Sequence, residues 1–343
     1  MTHELKKIID AFRAAKNEKL KTVLATVVAL EGSSYRRPGV RMLIREDGKM
    51  MGAVSGGCVE KEVQLQAQSV FSDGIPKMMT YDGRYRLGCE GILYILIEPF
   101  GPDTAFLNAF DTLLKNRAPF RITSHFSKKE GPNAVLGTLF QMDDLEIPIR
   151  DSFEVDMNTD KTEGIVEIFE QEMEPRFKLV IVGAEHDAVQ LCLYASLTGW
   201  EVEIVAAASE QKRITDFPGA EKFTAVEPEM VSAAGIDGQT AVMVMTHSYV
   251  RDLKYLLALT NARPVYLGLL GPSERRERLL GECIERHPEV SDVFIDSIHG
   301  PAGLNIGAET AQEIALAIMA EILSVSRDKK PMMLKNKSGR IHG

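Results

Sequence analysis

Loops rich in glycine in the first half of the chain carry the residue types that bind anions and soft metals. "EGSSYRRPG" offers Ser33, Ser34, Arg36 and Arg37. Adjacent hydroxyls and guanidinium groups suit phosphate or carboxylate recognition. "SGGC", Ser55, Gly56, Gly57 and Cys58, stands just before a helix-like run. Backbone N–H groups at a helix N-terminus favour an anion and depress a thiol pKa. "LGCEG" repeats the theme around Cys89. Two such thiols could face one cleft and meet a soft metal centre. As small apolar residues they could equally fill a core. No His stands at the spacing of a Cys–His protease.

The second half has its own candidates. "VIVGAEHDA" reads as strand, tight turn and helix. Its Gly183 and Ala188 fit the first and third positions of the dinucleotide fingerprint G-x-G-x-x-G/A. Glu185 takes the middle position, where a glycine would let backbone approach a pyrophosphate, and it adds negative charge. The acid expected at the end of the next strand, "IVAAAS", is absent, and Glu203 lies earlier within it. Both departures argue against NAD(P) at this turn. The alternative is that Gly183 makes a tight turn and a packing contact. His186 opens the helix, where it can donate to an anion or merely cap. "VMTHSYVRD" puts Thr246 and His247 after another strand. "LGLLGPSERRERL" puts Gly268, Gly271, Arg275 and Arg276 at a strand end and helix start. "HGPAGLNIGAET" brings Gly300, Gly303 and Gly307, then a capping box, Thr310 with Glu313.

Two kinds of domain are needed to position these residues. In the first, "TVLATVVAL", "VRMLI", "PKMMTYD" and "GILYILIEP" read as strands, and "REDG" as a hairpin turn. "CVEKEVQLQAQSVF" and "AFLNAFDTLLK" read as helices. The expected domain spans residues 1–170 and is α+β with a mixed or antiparallel sheet. Residues 171–177, polar and containing Pro175, read as a linker. Residues 178–330 alternate short apolar runs with helical segments. That pattern predicts a Rossmann-like, doubly wound parallel sheet, buried on both faces. Residues 331–343 read as a basic tail.

Composition narrows the function further. A length of 343 residues suits about two domains. A net charge of −9 argues against nucleic acid and anionic membranes as general partners. No apolar run is long enough to span a bilayer. The N-terminus reads as an amphipathic helix rather than a signal, so a cytoplasmic protein is expected. The four cysteines, Cys58, Cys89, Cys192 and Cys283, form no C-x-x-C pair and no disulfide framework.

Together, "GSSYRRPGVRMLI", "GAVSGGCVE", "LGCEG", "VIVGAEHDA", "VMTHSYVRD", "VYLGLLGPSERR" and "GPAGLNIGAETAQEIALAI" resemble the XdhC/CoxI family, the xanthine dehydrogenase accessory proteins. The likeness covers nearly the whole chain. It implies a non-catalytic chaperone that binds the molybdenum cofactor transiently and hands it to a xanthine dehydrogenase-like apoenzyme. A cysteine desulfurase-type sulfurtransferase is an implied second partner. It also implies that Ser33, Ser34, Arg36, Arg37, Ser55, Gly56, Gly57, Cys58, Cys89, Gly183, His186, His247, Gly271, Arg275, Gly303 and Gly307 contact cofactor, with Cys58 and Cys89 at its molybdenum. A homodimer is expected from exposed sheet edges. Departures from the family pattern are Glu90, Glu185, the alanines after the second Rossmann strand, His247 followed by Ser248 and Tyr249, Asn305 and Ala311. Two alternatives stand beside this reading: an NAD(P)-dependent oxidoreductase, and a scaffold that recruits a sulfurtransferase or molybdoenzyme without holding cofactor.

Overall fold

The computed structural model describes the chain apart from residues 33, 35, 58, 86–90, 143–144, 151–165, 232 and 339–343. It divides into two compact units, Met1–Pro175 and Arg176–Gly343.

The first unit runs α1 (Thr2–Asn17), β1 (Thr22–Glu31), β2 (Arg41–Arg45), β3 (Met50–Gly52), α2 (Glu60–Asp73), β4 (Lys77–Asp82), β5 (Ile92–Pro99), α3 (Thr104–Asn116), β6 (Phe120–Phe126), β7 (Gly131–Pro132), β8 (Gly137–Met142), β9 (Leu145–Pro148) and β10 (Glu167–Met173). The strands form a six-stranded sheet, β3-β2-β1-β5-β4-β7, and a four-stranded one, β10-β6-β8-β9. Of the two arrangements expected, mixed or antiparallel, the described strands take the antiparallel one in every pairing. Antiparallel neighbours need only short connections, whereas a parallel pair needs a long crossover. Gln171 to Met173, expected in the linker, instead complete β10. Phe169, Gln171 and Met173 turn inward along that strand while Ile168, Glu170 and Glu172 stay exposed. Its acidic composition hides this alternation.

Period-two burial gives the larger sheet two apolar faces. Val23, Ala25 and Val27 pack with Val63, Ala67 and Val70 of α2. Leu24 and Leu43 face the other way, into a core with Ile8, Ile9 and Phe12 of α1, Phe106 and Phe110 of α3, and Phe120 and Phe140 of the second sheet. Helix α3 starts at Asp103, whose carboxylate accepts from Phe106 N at 2.7 Å.

The second unit runs β11 (Lys178–Val182), α4 (His186–Leu197), β12 (Glu201–Ala206), β13 (Lys222–Ala225), β14 (Thr240–Val244), α5 (Tyr249–Ala258), β15 (Tyr266–Leu269), α6 (Ser273–Arg286), α7 (Asp292–Asp296), β16 (Ile298–His299) and α8 (Ala311–Ser326). Its six strands are all parallel, in the order β13-β12-β11-β14-β15-β16. Counted from β11, that is the 3-2-1-4-5-6 order of the Rossmann fold, with the switch point between β11 and β14. Leu179, Ile181, Ala241 and Met243 face α4 and α8. Val180, Val182, Val242 and Val244 face α5 and α6. Both faces are covered, which explains the unbroken apolar runs of the sequence. No helix among the described residues is long and apolar enough to cross a membrane.

One buried acid gives the first unit a pH signature. The Glu98 carboxylate, fully buried in β5, accepts from Thr138 N at 3.1 Å and Thr138 Oγ1 at 2.6 Å. Burial pushes its pKa up to about 7, opposed by Thr138, Arg150 and Arg41. Because the folded pKa exceeds the ordinary carboxyl value, Glu98's contribution to stability is full at low pH and is lost as pH rises through about 7. Glu98→Gln does not titrate. The unfolding free energy of that variant, relative to the native protein, should therefore improve by on the order of 2 kcal/mol between about pH 5 and pH 8. Urea denaturation at the two pH values checks this; a pH-independent difference would contradict it.

Candidate functional site

The antiparallel register of the first unit brings the ends of β1, β3 and β4 to one end of its larger sheet. Glu31 ends β1 opposite Ile92, which begins β5, and Asp82 ends β4 opposite the same Ile92. Gly52 ends β3 opposite Met42, at the start of β2. The segments after β1, β3 and β4 therefore all leave from the same end. Arg36 ties the first to the second, its Nη1 donating to Ala53 O at 3.1 Å. Arg41 pins the far end of the first loop by donating to Gly39 O at 2.8 Å and Gln171 Oε1 at 2.6 Å. Gly39 has φ +96°, and a Cβ there would lie 2.4 Å from the Gln171 amide. Ser34 is half-buried and Arg37 exposed. Ser33, Cys58 and Cys89 lie outside the described residues.

The sequence predicts free N–H groups at the start of α2, and here the structure differs. Glu60, only 9 % exposed, brings its own carboxylate to them. Its Oε1 accepts from Ser55 N at 2.8 Å, and its Oε2 from Ser55 Oγ at 2.7 Å and Val59 N at 3.2 Å. Ser55 Oγ in turn accepts from Gly57 N at 3.1 Å. Burial opposes the Glu60 charge, but the bonds from Ser55 and from the Glu60 and Val59 N–H groups together hold its carboxyl below the usual range. The loop leading into α2 is satisfied internally because N–H groups leaving water need an acceptor. Gly56 and Gly57 remain exposed, with nothing within 4 Å of a Cβ built on either. Gly57 has φ +118°, the left-handed region that favours glycine.

In the second unit the candidates gather at the carboxyl edge of the parallel sheet. Gly183 (φ +143°) ends β11, and a Cβ there would lie 2.5 Å from Met245 O. Close approach of the segment after β14 is thus what requires this glycine. Ala188 is fully buried in the α4 contact, as the third fingerprint position demands. Glu185 and His186 are exposed at the start of α4, and Lys212 Nζ donates to Ala184 O beside them. Glu203 is engaged by Lys222 at 2.7 Å and Thr224 at 3.2 Å, away from this edge's ligand position. His247, in the left-handed region at φ +55°, places Nε2 3.1 Å from Asp187 Oδ2 of α4.

A buried carboxylate joins the next two loops. Asp252 Oδ1 accepts from Thr246 N at 3.1 Å and Thr246 Oγ1 at 2.6 Å, while its Oδ2 takes Arg275 Nη2 at 2.5 Å. Arg275 and Arg278 also lie 5.8 Å and 5.1 Å from the ring of Tyr249. Gly271 (φ +118°) gives the Arg275 stem room, since a Cβ there would lie 2.8 Å from Arg275 Cδ. Gly303 donates its N–H to Glu321 Oε2 at 2.6 Å and packs so tightly on α8 that a Cβ would sit 3.2 Å from that of Ala317. Gly307 stands apart on the exposed surface. Thr310 and Glu313 form the predicted capping box. The structure thus joins His247 with the Gly183 turn, and Gly271 and Arg275 with Thr246. Asp187, Asp252, Glu60 and Glu321 escaped the sequence reading. Acids in a first helical turn look like ordinary dipole partners, and Glu321 sits within an apolar helix with no local signal.

A parallel sheet in this order, with a glycine turn at its switch point, defines a Rossmann domain. Residues 179–322 match the XdhC Rossmann domain and residues 15–82 the XdhC and CoxI family, so the chain belongs to that family. It is 29 % identical to a probable xanthine dehydrogenase subunit of Bacillus subtilis (strain 168), over 93 % of this chain and 97 % of that one. It is 27 % identical to the molybdenum cofactor insertion chaperone PaoD of Escherichia coli (strain K12), over 88 % and 83 %. The crystal structure of a xanthine dehydrogenase from Bacillus halodurans matches with a TM-score of 0.77 at 26 % identity, covering 94 % of this chain and 97 % of that one.

Two substitutions check this geometry. Gly183→Ala should cost about 2–4 kcal/mol in urea unfolding, since backbone must move to admit the methyl group; no loss would contradict the close approach. Glu60→Ala should speed amide exchange at Ser55 and Val59 by at least about tenfold while the α2 interior stays protected. Unchanged exchange at those amides would show that the carboxylate does not hold the loop.

Proposed function

We propose that this protein is an accessory factor that binds the molybdenum cofactor transiently and delivers it to a xanthine dehydrogenase-like apoenzyme. Similarity over 88 % of this chain to a molybdenum cofactor insertion chaperone is the observation that carries this reading. The site chemistry supports it. Arg36 and Arg37 supply cations for the pterin phosphate beside the open Gly56–Gly57 backbone. Cys58 and Cys89 supply the thiols for the metal centre in this scheme. In the second unit, Gly183, His186, His247, Gly271, Arg275, Gly303 and Gly307 are the contacts this reading assigns to the cofactor, since Rossmann ligands bind beyond the strand ends. A cysteine desulfurase-type sulfurtransferase is the second partner in this scheme, and the protein works as a cytoplasmic homodimer.

Nothing in the geometry favours the oxidoreductase alternative. Glu185 is exposed at the position where pyrophosphate would sit, and the adjoining strand ends in alanine. Gel filtration of the protein with released molybdenum cofactor should show co-elution, and Cys58→Ala should weaken it at least about tenfold without lowering the melting temperature. Calorimetric titration with NAD(H) and NADP(H) should give no saturable heat. The reverse pattern, tight nucleotide binding without cofactor co-elution, would overturn the proposal.

A further inference from the structure

His299 ends β16 opposite Gly268 of β15, at the carboxyl edge of the parallel sheet. Its Nδ1 lies 3.1 Å from Glu321 Oε1. Glu321 also accepts from Tyr266 Oη and Gly303 N, each at 2.6 Å. The Tyr266 and His299 rings stack with centroids 4.5 Å apart and 23° between planes. Gly268 makes this possible: a Cβ there would lie 2.7 Å from Tyr266 Cε1, so only glycine lets the phenol cross the strand to reach Glu321.

This arrangement favours a hydrogen on Nδ1 of His299. Burial opposes the Glu321 charge, but its bonds from His299, Tyr266 and Gly303 hold the carboxyl below the usual range. An ionised carboxylate only accepts, so the hydrogen on His299 Nδ1 belongs to the imidazole. A ring carrying its one hydrogen there has its lone pair at Nε2. Among the described residues that nitrogen has no hydrogen-bond partner, and it reaches solvent in a side chain 31 % exposed. A carboxylate behind one nitrogen and solvent at the other is the arrangement of metal-ligating and proton-accepting histidines. Metal ligation needs further donors, and no group of three His, Cys, Asp or Glu able to hold a metal occurs among the described residues.

We propose that His299, oriented by Glu321 and Tyr266, is a proton acceptor for a ligand bound at the carboxyl edge of the second unit. The ligand class is a small molecule with an acidic S–H, O–H or ring N–H. Its proton moves to Nε2, its electron pair stays behind, and it is held as an anion. The imidazolium that forms is balanced by the Glu321 carboxylate. Release reverses the transfer. Among the described residues, the charged and titratable groups in contact with His299 are Glu321 from α8 and Tyr266 from β15; Arg276 from α6 donates from Nη2 to the neighbouring Ile298 O at 3.4 Å. This inference rests on the reading that the protein holds cofactor, and it assigns a contact to a residue outside that reading.

The test uses the full chain labelled with 15N-histidine, prepared with and without the molybdenum cofactor. His299 of the empty protein should appear as the Nδ1–H tautomer. Glu321→Gln, whose amide can donate to Nδ1, should convert it to the Nε2–H tautomer at an unchanged melting temperature. Loading should shift the His299 Nε2 resonance into the protonated range. His299→Gln should retain at least about tenfold less pterin at an unchanged melting temperature. A His299 Nε2 signal that stays put in protein shown to contain pterin would overturn the proposal alone. A chain that retains no pterin in any form would overturn the cofactor reading and this proposal with it.

Discussion

Irregular backbone taken out of water must find acceptors for its N–H groups, and in this protein internal carboxylates supply them. Glu60 does so for the loop before α2, Asp252 for the segment after β14, and Glu321 for the loop after β16. Each acid sits on a helix packed against a sheet, so each loop inherits the rigidity of that helix. Each also joins loop to side chain: Ser55 to Glu60, Arg275 to Asp252, His299 to Glu321. Without these carboxylates the glycine-rich segments would be loose connections. With them they are preorganised surfaces, which lowers the ordering cost of binding a ligand.

Much of the architecture is legible in residue patterns. The apolar runs of the second half required a sheet buried on both faces, and Leu179/Ile181 against Val180/Val182 show why. The Asp-Gly pair marked the β2–β3 hairpin, and Thr310 with Glu313 marked the start of α8. Gly183 was legible as a turn, but its reason was not: it depends on Met245, far along the sequence and adjacent only across the sheet. Strand β10 was hidden because its outward residues, Glu170 and Glu172, dominate its composition. The Asp187–His247 and Glu321–His299 pairs were invisible for the same reason as Gly183. Spacing along a chain says nothing of partners brought together by a parallel crossover.

The two units present different chemistry. The edge of the first is open Gly56–Gly57 backbone, with Arg36 donating to Ala53 O beside it. The edge of the second is built of histidines backed by carboxylates, with Glu185 standing where a dinucleotide would need glycine. A glutamate at that position replaces the glycine that lets backbone approach a pyrophosphate.

The central claim is that this chain carries cofactor, and its composition when freshly isolated tests that most directly. The protein should be purified without oxygen from a host that makes the molybdenum cofactor, then assayed for molybdenum and for pterin released on denaturation. Both should be present, in a fixed ratio to each other and to the protein chain. Protein free of molybdenum and pterin, and unable to take up added cofactor, would contradict the claim.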